Sequence, residues 1–468
     1  MGKFLMGVSR HLSLLALGLT TSLIAPVCAN EGMMGMEQIP MASMQVTEVT
    51  PIGTSVELIA LETVGMDTGS TGSSGLDSRT GSSDPWARIK LDKNPETTGF
   101  HFGPGGLFPD ISVAPGYIDN LTFENANATG SFYTTVKPHL AYVMSDKTRK
   151  LVLDYLLDAG YFESSSPDNY VDNKLRASFD YNPTSRIFAS AIAEFMSSHD
   201  GRGKGRAEAG AGITQTSLDE WHQWGLGGKF AYGARTARAH LEFEADYLNK
   251  TYDTNRVFTF TRDREDYFGA ARFFYRIRPK TSLVFEGRAT EINYINDEVG
   301  VPSLDGINTS FLTGLTWQAT YKTTGFAKIG YNFRTFDSDQ RATQSGLDWE
   351  VGVDWKPRSY STVHLETSQS IAETNGTGDA INQSNISINW QHYWRERFST
   401  RVDLGYLTST FDPSSREDTS YLMGIRADYA FRRWLNIGTS FRHSTIDSTD
   451  AVFGSDQNIV ELNLDLIF

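Results

Sequence analysis

What most limits the folds open to this chain is a parity rule, clearest in its final stretch, Ile459 to Phe468. Val460, Leu462, Leu464, Leu466 and Phe468 share one parity, while Glu461, Asn463 and Asp465 share the other. Successive side chains of a strand point to opposite faces, so this segment has one apolar face and one carrying two carboxylates. The rule recurs upstream. Tyr421, Met423, Ile425, Ala427, Tyr429 and Phe431 oppose Gly424, Arg426 and Asp428. Trp349, Val351, Val353 and Trp355 oppose Asp348, Glu350, Asp354 and Lys356. Leu241, Phe243, Ala245 and Tyr247 oppose His240, Glu242, Glu244 and Asp246, and Ala327, Ile329, Tyr331 and Phe333 oppose Lys328 and Arg334. A soluble sandwich alternates too, but it has few strands and must protect its edges. A closed barrel has no edge and pairs every backbone group even in lipid.

The connections alternate as strictly as the residues. Short ones are Ser145–Thr148, Asn182–Ser185, Gly233–Thr236, Arg278–Thr281, Lys322–Thr324, Lys356–Ser359, Arg395–Arg397 and the turn at Arg432 and Arg433. Longer ones centre on Ala126, Ser165, Gly203, Asn255, Val301, Thr343, Gly376, Ser415 and Phe453. Tight turns at one rim and longer loops at the other are the signature of an outer-membrane barrel. The expected fold is therefore all-β: a transmembrane antiparallel up-and-down barrel of about 18 strands, with 16 as the alternative, over residues 111–468. An even count returns Phe468 to the side of the short turns, where a C-terminal amphipathic strand ending in Phe looks like the insertion signal read by the barrel assembly machinery. Tyr181, Tyr232, Tyr275, Tyr321, Trp355, Tyr360, Trp390, Trp394, Phe431 and Trp434 gather near the short turns and are expected to form an interfacial girdle. The plainer reading is ordinary strand enrichment of aromatics.

The N-terminus reads differently. Lys3, Arg10 and His11 precede an apolar run from Leu12 to Ile24, and Val27-Cys28-Ala29 offers a signal-peptidase site, so residues 1–29 are expected to be a signal peptide. Cys28, the only cysteine, would leave with it; a lipoprotein that retains it would have a bulky Val27 where a small residue is usual. The 42 basic residues less Lys3 and Arg10 leave 40 against 56 acidic ones, a net charge of −16 that argues against nucleic acid as a partner. Residues 30–110 are expected to be a mostly disordered periplasmic segment. Its Met33, Met34, Met36, Met41 and Met44 could offer soft thioethers to copper(I); the plainer reading is an apolar anchor for a partner or for the barrel's mouth. His101 to Phe108 reads as an ordered lead-in to the first strand.

The charged parity supplies the lumen candidates. Glu242, Glu244, Asp246, Asp348, Glu350 and Asp354 form an acidic set, and Arg272, Arg276, Arg288, Lys328 and Arg334 a basic one. Such rows can polarise a constriction, or simply pair across strands and stay hydrated. Phe268, Phe274 and Tyr393 have inward parity and could stack on a sugar. The nine His are scattered without metal-ligand spacing, and no nucleophile, base and orienter can be assembled. No cofactor, metal or enzyme activity is expected.

Gly116-Tyr-Ile-Asp-Asn120, Ser131-Phe132, Pro138 with Leu140 and Tyr142, and Leu153-Asp-Tyr155 with Tyr161 carry a resemblance. On these residues the region from Gly105 to Phe468 resembles a family of outer-membrane β-barrel porins associated with exopolysaccharide loci. The resemblance implies passage of a solute or polysaccharide, with capsule export as one form of it, and outer-membrane lipid as the surrounding partner. The alternative is a non-conducting barrel that docks a periplasmic partner through its N-terminal tail. The sequence leaves monomer and homo-oligomer open.

Overall fold

A computed structural model describes residues 99–468, apart from 126–127, 203–215, 235–236, 299, 321 and 375–377. The signal peptide, the methionine-rich stretch and Tyr321 lie outside the described residues.

A short strand β1 (Phe100–Phe102) precedes eighteen long ones. In the first half these are β2 (Gly105–Ile118), β3 (Ser131–Ser145), β4 (Arg149–Phe162), β5 (Tyr170–Thr184), β6 (Ile187–Asp200), β7 (Asp219–Tyr232), β8 (Ala239–Tyr252), β9 (Arg264–Arg278) and β10 (Thr281–Tyr294). The second half comprises β11 (Gly306–Thr320), β12 (Thr323–Phe336), β13 (Gln344–Arg358), β14 (Ser361–Glu373), β15 (Ala380–Arg395), β16 (Phe398–Asp412), β17 (Glu417–Arg432), β18 (Leu435–Ser448) and β19 (Ser455–Ile467). Each pairs antiparallel with its sequence neighbours. β19 closes the ring on β2, with Val460 opposite Tyr117 and Leu464 opposite Val113. The barrel therefore has 18 strands, not 16.

Strand length suits the task. Fourteen residues at about 3.3 Å each, tilted by about 40°, reach roughly 35 Å, enough for a hydrocarbon layer of about 30 Å. Short turns and long loops alternate as the sequence predicts. At the short turn after β7, Gly233 has φ +119, and a Cβ there would lie 2.8 Å from the Cβ of His240. The first barrel strand begins at Gly105 rather than near Ile111 and forms a small hairpin with β1. Gly116-Tyr-Ile therefore ends that strand instead of opening it, and Asp119-Asn120 enters the loop beyond.

The two faces separate as parity demands. Outward positions such as Phe311, Ile329, Leu347 and Val460 are exposed, forming the surface that lipid would cover. Inward positions such as Glu242, Asn332 and Asp348 are buried. Rings ride at both rims, not only beside the short turns. Tyr181, Tyr232, Trp355, Trp394 and Trp434 are exposed at one rim, and Tyr117, Phe132, Tyr161, Tyr267 and Tyr421 towards the other. Paired aromatic girdles mark the two membrane interfaces. Trp390 and Tyr275 are only half-buried; the indole N–H of Trp390 donates to Ser361 Oγ at 3.0 Å.

Candidate functional site in the barrel lumen

The candidate site is a wall of ion pairs running across seven adjacent strands, β7 to β13. It exists because inward residues on neighbouring strands are held face to face by register. Glu242 opposes Arg272, which in turn opposes Glu286. On the next strands Lys328 opposes Glu350. Side chains then reach diagonally. Lys229 Nζ lies 3.5 Å from Glu244, and Arg272 Nη1 donates to that same carboxylate at 2.6 Å. Arg272 Nε lies 3.2 Å from Glu286 Oε1, and Lys328 Nζ lies 2.8 Å from Glu286 Oε2. Lys328 also meets Glu350 at 2.5 Å. Arg288 bridges Glu350 and, at 2.9 Å, Asp348.

Four cations thus interleave with four carboxylates, and these eight balance, with Glu242 and Asp246 of β8 buried beside them. Removing a carboxylate or ammonium from water costs several kcal/mol per ion, which only well-made pairs offset. The interleaving is therefore what allows Glu286, Asp348 and Arg288 to be buried at all.

The remaining sequence candidates are placed as follows. Glu242 is fully buried, with Oε1 3.6 Å from His240 Nε2. Asp246 is buried four residues further along β8, on the same face. Arg276 points inward near the short-turn rim and is half-buried. Asp354 also has inward parity but is exposed at that rim, where it pairs with His364 at 2.8 Å. Arg334 leaves the wall altogether and reaches Glu373 at 3.3 Å and the Leu304 carbonyl at 2.8 Å. Of the acidic and basic sets, Glu244, Asp348, Glu350, Arg272, Arg288 and Lys328 join one interlocked network. Phe268 and Phe274 face inward but are buried, and Phe274 stacks on His240 with centroids 4.3 Å apart, so neither offers an open face to a sugar. Tyr393 lies opposite the buried Ser399, near the short-turn rim. Phe468 sits at the seam, its backbone N–H donating to the Pro109 carbonyl at 3.1 Å.

Sequence reasoning missed Lys229 and Glu286. Glu286 shares the parity of Arg288, two positions on, which was signal enough. Lys229 follows Gly227-Gly228, and the glycines dilute the alternation that would expose it.

The connections carry charge pairs of their own. Asp146, in the turn between β3 and β4, accepts the backbone N–H groups of Thr148 and Arg149, each at 2.8 Å. Those bonds and the Arg149 guanidinium hold its carboxyl well below the usual carboxylate range. In the loop after β10, burial pushes Asp305 up. In the loop after β8, Arg256 forks onto Asp263 at 2.8 and 2.6 Å. Among the described residues no cluster of His, Cys, Asp and Glu could hold a metal ion.

A closed barrel, apolar outside and ionised inside, with short turns on one rim and long loops on the other, is a β-barrel of the outer membrane. Residues 94–468 match the model of the family described as "Putative beta-barrel porin 2", and the chain belongs to that family. No curated protein matches the sequence. Among solved structures, the chain is similar to the FrpB iron transporter from Neisseria meningitidis (F5-1 variant), at 10% identity and a TM-score of 0.42, covering 79% of this chain and 83% of that one. It is also similar to Pseudomonas aeruginosa OpdK with vanillate, at 10% identity and a TM-score of 0.42, covering 77% and 99%. A third likeness is to Pseudomonas aeruginosa OccK3 (OpdO), at 11% identity and a TM-score of 0.42, covering 77% and 95%.

Proposed function

We propose that the protein is a passive outer-membrane channel, neither energised nor catalytic, that lets a hydrophilic solute cross along its charged lumen wall. The observation that supports this most is the Lys229-to-Asp348 network: a barrel built only as a scaffold has no need to gather eight ionised groups on its inner face, six of them buried. The near balance of sign favours neutral or zwitterionic solutes over a polyanion, whose pore would need a basic lining. Within this reading, a polysaccharide is the solute suggested by the family resemblance, with export of exopolysaccharide or capsule as the setting.

The test is planar-bilayer recording of purified, folded protein. Discrete conductance steps are expected, with block by neutral oligosaccharides if the solute is a sugar. A folded protein that inserts and never conducts would leave the other reading, a barrel that docks a periplasmic partner through its N-terminal tail. Deleting residues 30–84 then separates the two: docking loses complex formation, whereas a channel keeps its current.

A further inference from the structure

The outer end of β14 parts from β13 and leans inward, while the hairpin it forms with β15 stays joined to the wall through β16, as far as Ala380 opposite Asp412. Pairing between β13 and β14 stops at Trp349 opposite Gln369, so Gln344–Asp348 of β13 have no β14 residues beside them. β14 nevertheless remains paired with β15 as far as Glu373 opposite Ala380. Burial shows where it goes. In a wall strand alternate residues face lipid, yet the four consecutive residues Ser370, Ile371, Ala372 and Glu373 are all buried, as are Ala380 and Ile381. Protein therefore covers both faces of this tip.

Its contacts lie across the lumen. Tyr294, at the end of β10, donates its hydroxyl to Glu373 Oε2 at 2.9 Å. β10 and β14 are four strands apart, about 19 Å of wall at about 4.8 Å per strand. A Tyr, a Glu and one hydrogen bond span at most about 14 Å at full stretch. The bond can form only because the tip leans inward. Arg334 of β12 holds the same carboxylate, and the Asn308 amide of β11 donates to the Ile371 carbonyl at 3.2 Å. From the wall behind, the Gln344 amide reaches the Asp412 carbonyl at the end of β16 at 3.5 Å.

We propose that Ser370–Glu373 of β14, with Ala380 and Ile381 of β15, form a movable gate that narrows the lumen on the long-loop side, latched by Glu373 to Tyr294 and Arg334. The proposal rests on the channel reading for its consequence and on the strand geometry for its existence. Glu373 is the only carboxylate on β14 beyond Glu366, so, beside the Asn308 bond to the Ile371 carbonyl, both charged-group contacts of the latch meet on one side chain. Removing it frees the tip to return to the wall beside Gln344–Asp348 and opens the passage.

The experiment reads tip and current separately. Cys28 is replaced by Ala and Ser370→Cys introduced, and labelling by a charged, membrane-impermeant maleimide is timed in proteoliposomes, with and without Glu373→Ala. Tyr294→Phe, which removes one hydroxyl, serves should Glu373→Ala fail to fold; heat-modifiable gel mobility reports the fold. Labelling is expected to be about tenfold faster or more in the unlatched chains, the weight of one hydrogen bond to a charged group, and single-channel conductance to rise with it. Faster labelling without any current in any variant would leave the latch standing and remove the channel reading. Labelling that is no faster in folded Tyr294→Phe or Glu373→Ala would overturn the gate, whatever the currents.

Discussion

Ser112 and Asp465 are separated by 353 positions, and the hydroxyl of the first donates to Oδ1 of the second at 2.7 Å. The bond crosses the seam where the last strand closes on the first long one. Asp465 does more than close it: Oδ2 takes Arg426 Nη2 at 3.0 Å. Asp465→Ala would leave the half-buried Arg426 guanidinium paired with Asp428 alone of its two carboxylates. Breaking such a pair is expected to cost about 3 kcal/mol, seen as a lower urea midpoint for loss of the compact, heat-modifiable gel band. Asp465→Asn, which keeps an acceptor for Ser112, should cost less. Equal midpoints for all three proteins would mean that the seam is held by its backbone ladder alone.

The lipid face makes the opposite demand. Phe311 is 61% exposed on the outward side of β11, paired with Tyr331. Phe311→Lys should destabilise the membrane-embedded barrel by about 2–4 kcal/mol, the cost of a lysine near the bilayer midplane. Phe311→Leu should sit within about 1.5 kcal/mol of the wild type. Folding into lipid vesicles measures both. A lysine tolerated there would place this position in water.

Asp146 tests a turn outside the membrane span. Its carboxylate is held by the Thr148 N–H first, then by the Arg149 side chain and N–H, so its folded pKa lies below the unfolded value. The sign follows. A depressed acid adds to stability above the unfolded pKa, near 3.9, and that contribution is lost as pH falls through the folded pKa. Carboxyl carbon shifts of labelled aspartate should show Asp146 still ionised at pH values where ordinary aspartates have protonated. Arg149→Ala should move its midpoint up. A midpoint near 3.9 in the wild type would dismiss the turn's hydrogen bonds as weak.

Parity made the barrel legible because period 2 is enforced by lipid on one side: Leu462 and Leu464 had nowhere else to point. It made Arg272, Lys328 and Glu350 legible as inward for the same reason. It could not show that these charges would interlock, since that depends on register across strands, and register is a pairwise property. The inward tip was hidden for a further reason. Thr367 to Ser370 are polar on both parities, and Ile371-Ala372 apolar on both, so the rule lapses where the strand leaves the wall. That lapse was the available signal. Phe274 read as a free stacking surface because sequence could not show His240 lying flat against it.

Lys328 stands at the middle of the lumen wall, 2.8 Å from Glu286 and 2.5 Å from Glu350. Lys328→Met keeps most of the side-chain bulk and removes the charge. Glu286 then retains Arg272, and Glu350 retains Arg288, but the set carries one uncompensated negative charge. Losing one partner of a buried pair should cost about 3–5 kcal/mol. Adding Glu286→Gln should restore part of it, because the double variant is neutral again, with a coupling of about 0.5–3 kcal/mol from the thermodynamic cycle. Permeation provides an independent readout. The extra negative charge lies on the inner face, where fixed charges bias the ions that pass, so the reversal potential under a salt gradient should move towards cation selectivity in Lys328→Met. It should return towards the wild-type value in the double variant. A selectivity indifferent to both changes would mean that ions take a path away from this wall, leaving the network a structural role only.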